Sequence, residues 1–374
     1  MRRPWAAGTV FLITLSIVVI VVRLPQEAQQ DPGALGGRYD DLPYRDLFPL
    51  PDGVIEIDGQ FRRIRIGFSQ TGFNHPWRVE MVNSARAQAA RHPNVDLIVT
   101  DGKVDVVKQS GDLADLLALS VDAIIVSPVE DAGLRSAVRR VMTRSGVPLI
   151  VLDRDVGVEK TLFIGQDNAS MAAAVAQRMV EQLSERHGDV RGNVVAITGL
   201  LGSSPAIGRH DGFLSVVSRY PGITVLAVGD GQWIREPAAR LMEDWLVRFP
   251  TIDAVFSHAE ESSWGAQLAI QRAGRADQGI LHFTHDGSNH GFCSVLSGLF
   301  AADGNYTPFI GQLGVRAALY ALTGRELQGS EPYEFGRRLR LPDLPVVTPE
   351  NVRAWLGRGW GDWDALTCVA PSTH

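Results

Sequence analysis

The chain has 374 residues, 45% of them hydrophobic and 21% charged, which is ordinary globular composition and enough length for two domain-sized cores. A net charge of −6 excludes the basic excess that a nucleic-acid-binding protein usually carries. The two cysteines, Cys293 and Cys368, form neither a CxxC pair nor a metal-ligand spacing, so no metal centre is expected; a disulfide between them is open to the chain in an oxidising compartment.

At the N-terminus, Arg2 and Arg3 precede a charge-free run over residues 5–22 that is rich in Val, Ile and Leu. Two readings stand side by side. One is a secretory signal with a basic start and an apolar middle. The other is an uncleaved transmembrane anchor, since about 20 apolar residues span a bilayer. The following RLPQEAQQ offers no clear small-x-small cleavage site, and no cysteine before Cys293 could carry a lipid. Both readings leave the arginines on the cytoplasmic side and send the rest of the chain across the membrane. Residues 23–60, with their glutamines, a GALGG stretch and a Pro- and Asp-containing segment, have no sustained period and read as a tether.

From Arg63 the pattern alternates. A strand over Arg63–Phe68 leads to a helix over Trp77–Arg91, a strand over Val95–Val99 and a helix over Asp105–Leu119. Ala123–Val126 and Pro148–Leu152 are continuous apolar strands on either side of a helix over Ala132–Arg144. The rhythm restarts with a long helix over Asn168–Glu185. Strands follow at Asn193–Thr198, Thr224–Val228, Ala254–Ser257 and Ile280–Thr284, with helices between them. A short helix near Cys293–Ser297, a strand around Leu299–Ala302 and a helix over Phe309–Thr323 complete the series. Apolar strands alternating with helices predict an α/β fold of two doubly wound lobes, each with a parallel sheet covered on both faces. Ligands in such sheets sit beyond the carboxyl ends of the strands, so two facing lobes would enclose one cleft.

An ordered set of motifs then carries a resemblance. IGFSQTGFNHPWR at 66–78, VDAIIVSPV at 121–129, PLIVLDRDV at 148–156, IGQDN at 164–168, GSSPAIGRHDGF at 202–213, SHAEESSWGA at 257–266, HDG at 285–287, NYTP at 305–308 and VTPENV at 347–352 occur in sequence. Together they resemble the periplasmic sugar-binding proteins of the ribose- and galactofuranose-binding type. The resemblance implies a type I periplasmic binding fold with three crossovers at the hinge. It divides the chain into an N-terminal lobe (62–167 and 306–335), a C-terminal lobe (168–305 and 336–352) and a tail (353–374). It also implies a monomer that needs no cofactor, captures a monosaccharide and presents its closed form to ABC permease subunits.

A sugar presents C–H faces that suit aromatic rings and hydroxyls that suit planar charged groups. Trp77 and Trp233 match the two family aromatics that cover opposite ligand faces, although each could also pack on its own lobe. Arg78 follows Trp77 directly, and Asn74 and His75 lie in the same loop. Asp153 and Arg154 end an apolar strand, where a charged pair is costly unless it braces the lobe or meets a ligand. Arg209 opens a helix after GLLGSSPAIGR, a loop that lacks both phosphate-binding fingerprints. Asp286 matches the family's hydroxyl acceptor, and Asn305 lies where the chain crosses between lobes. One departure stands out: Ala259 occupies a usual Asn position and Glu260 a usual Asp position. Alanine supplies neither donor nor acceptor, so either the ligand differs or Glu260 or His258 replaces the contact.

Other classes fit less well. No spacing specifies a facing pair of catalytic carboxylates, and the G-x-S-x-G elbow is absent, so the chain is not read as an enzyme. The N-terminus carries an apolar segment where a regulator of this core would carry a helix-turn-helix. A tethered sensor that presents its closed form to a chemoreceptor or kinase is the alternative to transport.

Overall fold

The structure is a computed structural model that describes Tyr44, residues 46–362 and Cys368. Strand β1 (Ile64–Gln70) buries every residue but Arg65. Its neighbour β3 (Ala123–Val126) and the next strand β4 (Leu149–Leu152) are buried throughout, as central strands covered on both faces must be. β1 also pairs in parallel with β2 (Val95–Asp101), and β4 with β5 (Lys160–Gly165). Helices α1 (Pro76–Ala90), α2 (Val106–Ala118) and α3 (Arg135–Ser145) connect these strands. The second sheet is built the same way. It contains β6 (Gly192–Thr198), β7 (Ile223–Asp230), β8 (Ala254–Ser257), β9 (Leu281–His285) and β10 (Ala302–Gly304), in the order β10-β9-β8-β6-β7. Around it run α4 (Asn168–His187), α5 (Ser204–Val217), α6 (Arg235–Arg248), α7 (Glu260–Arg272) and α8 (Asn289–Leu296). The chain then returns to the first lobe as α9 (Ile310–Leu322), which packs on α1 and on β3, β4 and β5.

The first sheet has the order β11-β12-β5-β4-β3-β1-β2, with β11 at Glu331–Tyr333 and β12 at Gly336–Arg340. β12 was expected with the second lobe. It pairs in parallel with β5 instead, and the chain crosses only after Arg340, reaching the second sheet where Val347 bridges Asp303. The three lobe crossings are therefore 165–168, 304–310 and 340–347. The arginines of GRRLR hide this strand from a hydropathy reading, because it lies one strand in from the sheet edge and only Leu339 of it is buried.

Residues 46–60 form no helix or extended strand, in keeping with their composition, yet they are docked. Tyr44, Phe48, Ile55 and Ile57 are buried in the first lobe's core. The Asn94 side chain brackets Ile55, accepting from its N–H at 2.9 Å and donating to its carbonyl at 2.8 Å. Tyr320 donates its hydroxyl to the Pro49 carbonyl at 2.8 Å.

The transmembrane expectation needs correction: among the described residues no helix is long and apolar enough to cross a membrane. The run over 5–22 and the first part of the tether lie outside the described residues. The two cysteines are joined as a Cys293–Cys368 disulfide that ties the tail to α8.

Candidate functional site

Between the lobes lies a small cavity walled by side chains from both of them. Its walls come from segments that follow the carboxyl ends of strands in both sheets. After β1 come His75, Trp77 and Arg78, and after β4 come Asp153 and Arg154. The second lobe supplies Arg209 and Pro205 from α5, Trp233 from the turn after β7 and Asp286 from the turn after β9. Tyr306, on a crossing segment, closes the set.

Local chemistry fixes each of these side chains. Pro76 begins α1, a position that needs no N–H donor. His75 caps the same helix, its Nδ1 accepting from the Trp77 N–H at 3.2 Å. Burial, assisted by Arg78, Arg209 and Arg154, pushes His75 down to about 3, so the ring is neutral and carries its proton on Nε2. Arg78 is held down to about 9 by burial and by Arg154, and stays a cation at neutral pH. Arg154 donates to the carbonyls of Pro128 and Val129 and lies 3.4 Å from Asp153. Arg209 donates to Asn168 Oδ1 at 2.9 Å, to the His258 carbonyl, and to Asp286 Oδ1 at 3.3 Å.

The aromatic groups form a continuous stack across the cleft. Trp77 lies on Tyr306 with centroids 5.3 Å apart and planes 15° apart. The Arg209 guanidinium sits 4.8 Å from the Tyr306 centroid and 5.3 Å from that of Trp233. Tyr306 donates its hydroxyl to Asp153 Oδ1. Burial, then the Asp153 charge, keeps that hydroxyl protonated far above neutral pH. Trp233 lies flat on Gly199, where any Cβ would fall 2.1 Å from its ring.

Three wall residues adopt left-handed backbone conformations that side chains with a Cβ rarely take: Asp153 at φ 68°, Trp233 at φ 68° and Asp286 at φ 143°. Strain of this kind persists where surrounding structure over-determines it, typically at functional sites. Trp233 Nε1 and Asp286 Oδ2 are buried without a hydrogen-bond partner among the described residues. These are a donor and an acceptor of the kind that a bound hydroxyl satisfies. Burial pushes the Asp286 carboxyl well up, and Arg209 opposes that shift.

Eight of the eleven residues expected from sequence line the cavity, and Asn74, Glu260 and Asn305 do not. Asn74 is exposed and accepts from Arg78 at 3.1 Å. Glu260 lies behind the Asp286 turn, accepting from the Ser288 N–H at 2.7 Å and from its hydroxyl. Burial and the neighbouring Asp303 push Glu260 well up, while Asp303 itself rises to about 7. Asn305 accepts through its carbonyl from Gln166 at 3.3 Å and packs against Gly287. Ala259 leaves the start of α7 without a side-chain cap and packs with Ala206 and Trp233 as an apolar corner. Sequence reasoning missed Pro205 and Tyr306. The NYTP motif held a signal for Tyr306, which follows directly on Asn305.

A family model described as "Periplasmic binding protein domain" matches residues 66–326. The xylitol-binding protein of Mycolicibacterium smegmatis is 33% identical over 70% of this chain and 71% of its own length. The galactofuranose-binding protein of Escherichia coli is 26% identical over 66% of this chain and 78% of its own. Among solved structures, the fructose-binding periplasmic domain of a hybrid two-component system matches with TM-score 0.70 and 29% identity, covering 79% of this chain and 94% of that one. A Mycobacterium smegmatis protein in complex with β-D-fucofuranose gives TM-score 0.71 and 26% identity, covering 78% and 94%.

Proposed function

The chain belongs to the periplasmic binding protein family, and on that premise we propose that it is the exported solute-binding component of an ABC sugar importer, capturing one small sugar or polyol between its lobes. The family binds its ligand without converting it, so no residue of the pocket is assigned a catalytic role. The observation that carries the reading is the composition of the cavity wall. Two tryptophans, three arginines and two aspartates converge on it from both lobes. Ring faces suit the C–H surfaces of a sugar, and the charged groups suit its hydroxyls. Because both lobes contribute, ligand stabilises the closed arrangement and shifts the population toward it. Both halves of the pocket come from one chain, so a monomer suffices.

Ala206 and Ala259, outside the cavity lining, pack with Trp233 as an apolar corner, so Ala259 supplies no polar contact to a ligand. The relatives named for xylitol and galactofuranose, and the solved structure in complex with β-D-fucofuranose, support a ligand in the range of furanoses and short polyols. The test is a thermal-shift screen of xylitol, ribose, fructose, galactofuranose and fucofuranose, followed by calorimetry on Trp77→Ala. At least one compound should stabilise the wild type, the variant should lose most of that affinity, and NMR should find the compound unaltered. Unchanged affinity in Trp77→Ala, or turnover of the sugar, would refute the reading. Likeness to the periplasmic domain of a two-component system favours a second reading, in which the closed form signals to a kinase. Uptake of the identified ligand by cells lacking the protein separates the two, since only a transport role predicts a defect.

A further inference from the structure

We propose that Trp360 is a positioning residue for the ligand pocket, through which the C-terminal tail holds the Asp286 turn in its binding conformation. Residues 359–361 lie beyond the matched family region and run alongside the turn over 286–289. The Trp360 indole N–H donates to the Asp286 carbonyl at 2.9 Å, and its backbone N–H donates to the Gly287 carbonyl at 3.3 Å. The Trp360 carbonyl accepts from the Asn289 N–H at 2.8 Å. The Asn289 side chain completes the clamp. Its Nδ2 donates to the carbonyls of Gly359 (3.0 Å) and Gly361 (2.9 Å), and its Oδ1 accepts from the Gly359 N–H at 3.0 Å. The approach is backbone to backbone, since a Cβ on Gly359 would fall 2.6 Å from the Asn289 nitrogen.

The clamp acts where the pocket is under strain. Asp286 holds φ 143°, a conformation disfavoured for a residue with a Cβ, and its carboxylate faces Arg209 across the cavity wall. Such a conformation needs partners that over-determine it, and Trp360 bonds two successive carbonyls of this turn. Trp360 is only 6% exposed and belongs to the same buried apolar cluster as Trp77 and Tyr306. Val352, the residue before the tail, is buried instead with Phe292 and Phe300 of the second lobe. The tail therefore spans the two sides of the pocket, and Trp360 couples the Asp286 turn to the aromatic wall.

The inference rests on the reading of Asp286 as a ligand residue, and the test keeps the two apart. Trp360→Phe retains the ring and removes the indole donor. In the unliganded full-length protein, amide hydrogen exchange over residues 285–292 should become about tenfold faster, with exchange in α1 unchanged. Calorimetry with xylitol as probe should show affinity falling about tenfold, with the unliganded melting temperature within a few degrees of wild type. Exchange unchanged in Trp360→Phe overturns the proposal, whatever the probe does. Asp286→Asn with wild-type xylitol affinity would remove Asp286 from the site while leaving the exchange result to decide the clamp.

Discussion

Arg209 is held from four directions: by Asn168, by the His258 carbonyl, by Asp286 and by the rings of Tyr306 and Trp233. Its side chain is 2% exposed, so its charge is tolerated only because those partners replace water. A planar fork that bonds and stacks at once is a property of guanidinium and not of ammonium. Arg209→Lys therefore keeps the charge and loses the geometry, and ligand affinity by calorimetry should fall about 100-fold, with the protein folded. Arg209→Ala leaves the buried Asp286 carboxylate without its cation and should also lower the stability of the unliganded protein by about 3 kcal/mol. Wild-type affinity in Arg209→Lys would show that the stack and fork are structural bracing alone.

At the scale of elements, α5 carries Arg209 but begins without help from its own cap. Ser203 turns its hydroxyl to the Leu200 carbonyl at 2.7 Å, so its side chain does not cap the helix. Asp131 of the first lobe lies by this helix start, where the hydroxyl and N–H of Ser204, the first residue of α5, pull its carboxyl down. The Asp131 N–H also reaches the Gly202 carbonyl at 3.5 Å, and the Asp155 N–H reaches Ser204 Oγ at 3.4 Å. These contacts cross the cleft and exist only while the lobes are together. Burial pushes the Asp131 carboxyl up to about 6, against the pull of Ser204 and Arg154. In an open protein the burial is lost and the group returns toward its ordinary value near 4. Closure then takes up a proton between about pH 4 and pH 6, so closure is favoured as pH falls through that window. Ligand affinity should be about tenfold higher at pH 5 than at pH 7, and Asp131→Asn should flatten that part of the profile. An identical pH dependence in wild type and Asp131→Asn would rule out proton uptake by Asp131 on closure.

The same scale shows what the sequence made legible. Trp77, Arg154, Arg209, Trp233 and Asp286 were readable through the family resemblance of their motifs, and they lie together because a parallel sheet delivers the loops after its strands to one edge. Tyr306 was not, because its place depends on a crossing segment that belongs to neither repeat of the strand–helix rhythm. Asn305, one residue earlier, was the expected contact, but it points to Gly287 and the crossing. Glu260 was expected at the ligand because it stands at a usual Asp position of the resembled family, next to Ala259. It lies one layer deeper, where it serves the Ser288 turn. The hairpin of β11 and β12 escaped notice because short, charged strands at the sheet margin lack the hydrophobic period that marks a central strand. By contrast β5 (Lys160–Gly165), an interior strand between β12 and β4, was passed over because no helix separates it from β4.

In the whole molecule, segments outside the two repeats hold the lobes in shape: the docked stretch before β1 on the first lobe, and the tail on the second. The disulfide matters most for the tail. Cys293 and Cys368 are 75 residues apart, and a covalent link of that span removes freedom from the unfolded chain worth roughly 4 kcal/mol in the chain-entropy account. The periplasm is oxidising, so the bond persists there. Between the two cysteines lie the Asp286-supporting residues 359–361, the crossing over 340–347 and α9, so losing the link relaxes the second lobe's tail without touching any cavity-lining residue. The double variant Cys293→Ser/Cys368→Ser should therefore melt several degrees below the wild type, and reducing the wild type should reproduce that shift. Ligand affinity should fall less than in Trp360→Phe, because the hydrogen bonds at 359–361 remain available once the tail is in place. A melting temperature insensitive to both reduction and substitution would mean that the tail is held by its hydrogen bonds and by Val352 alone.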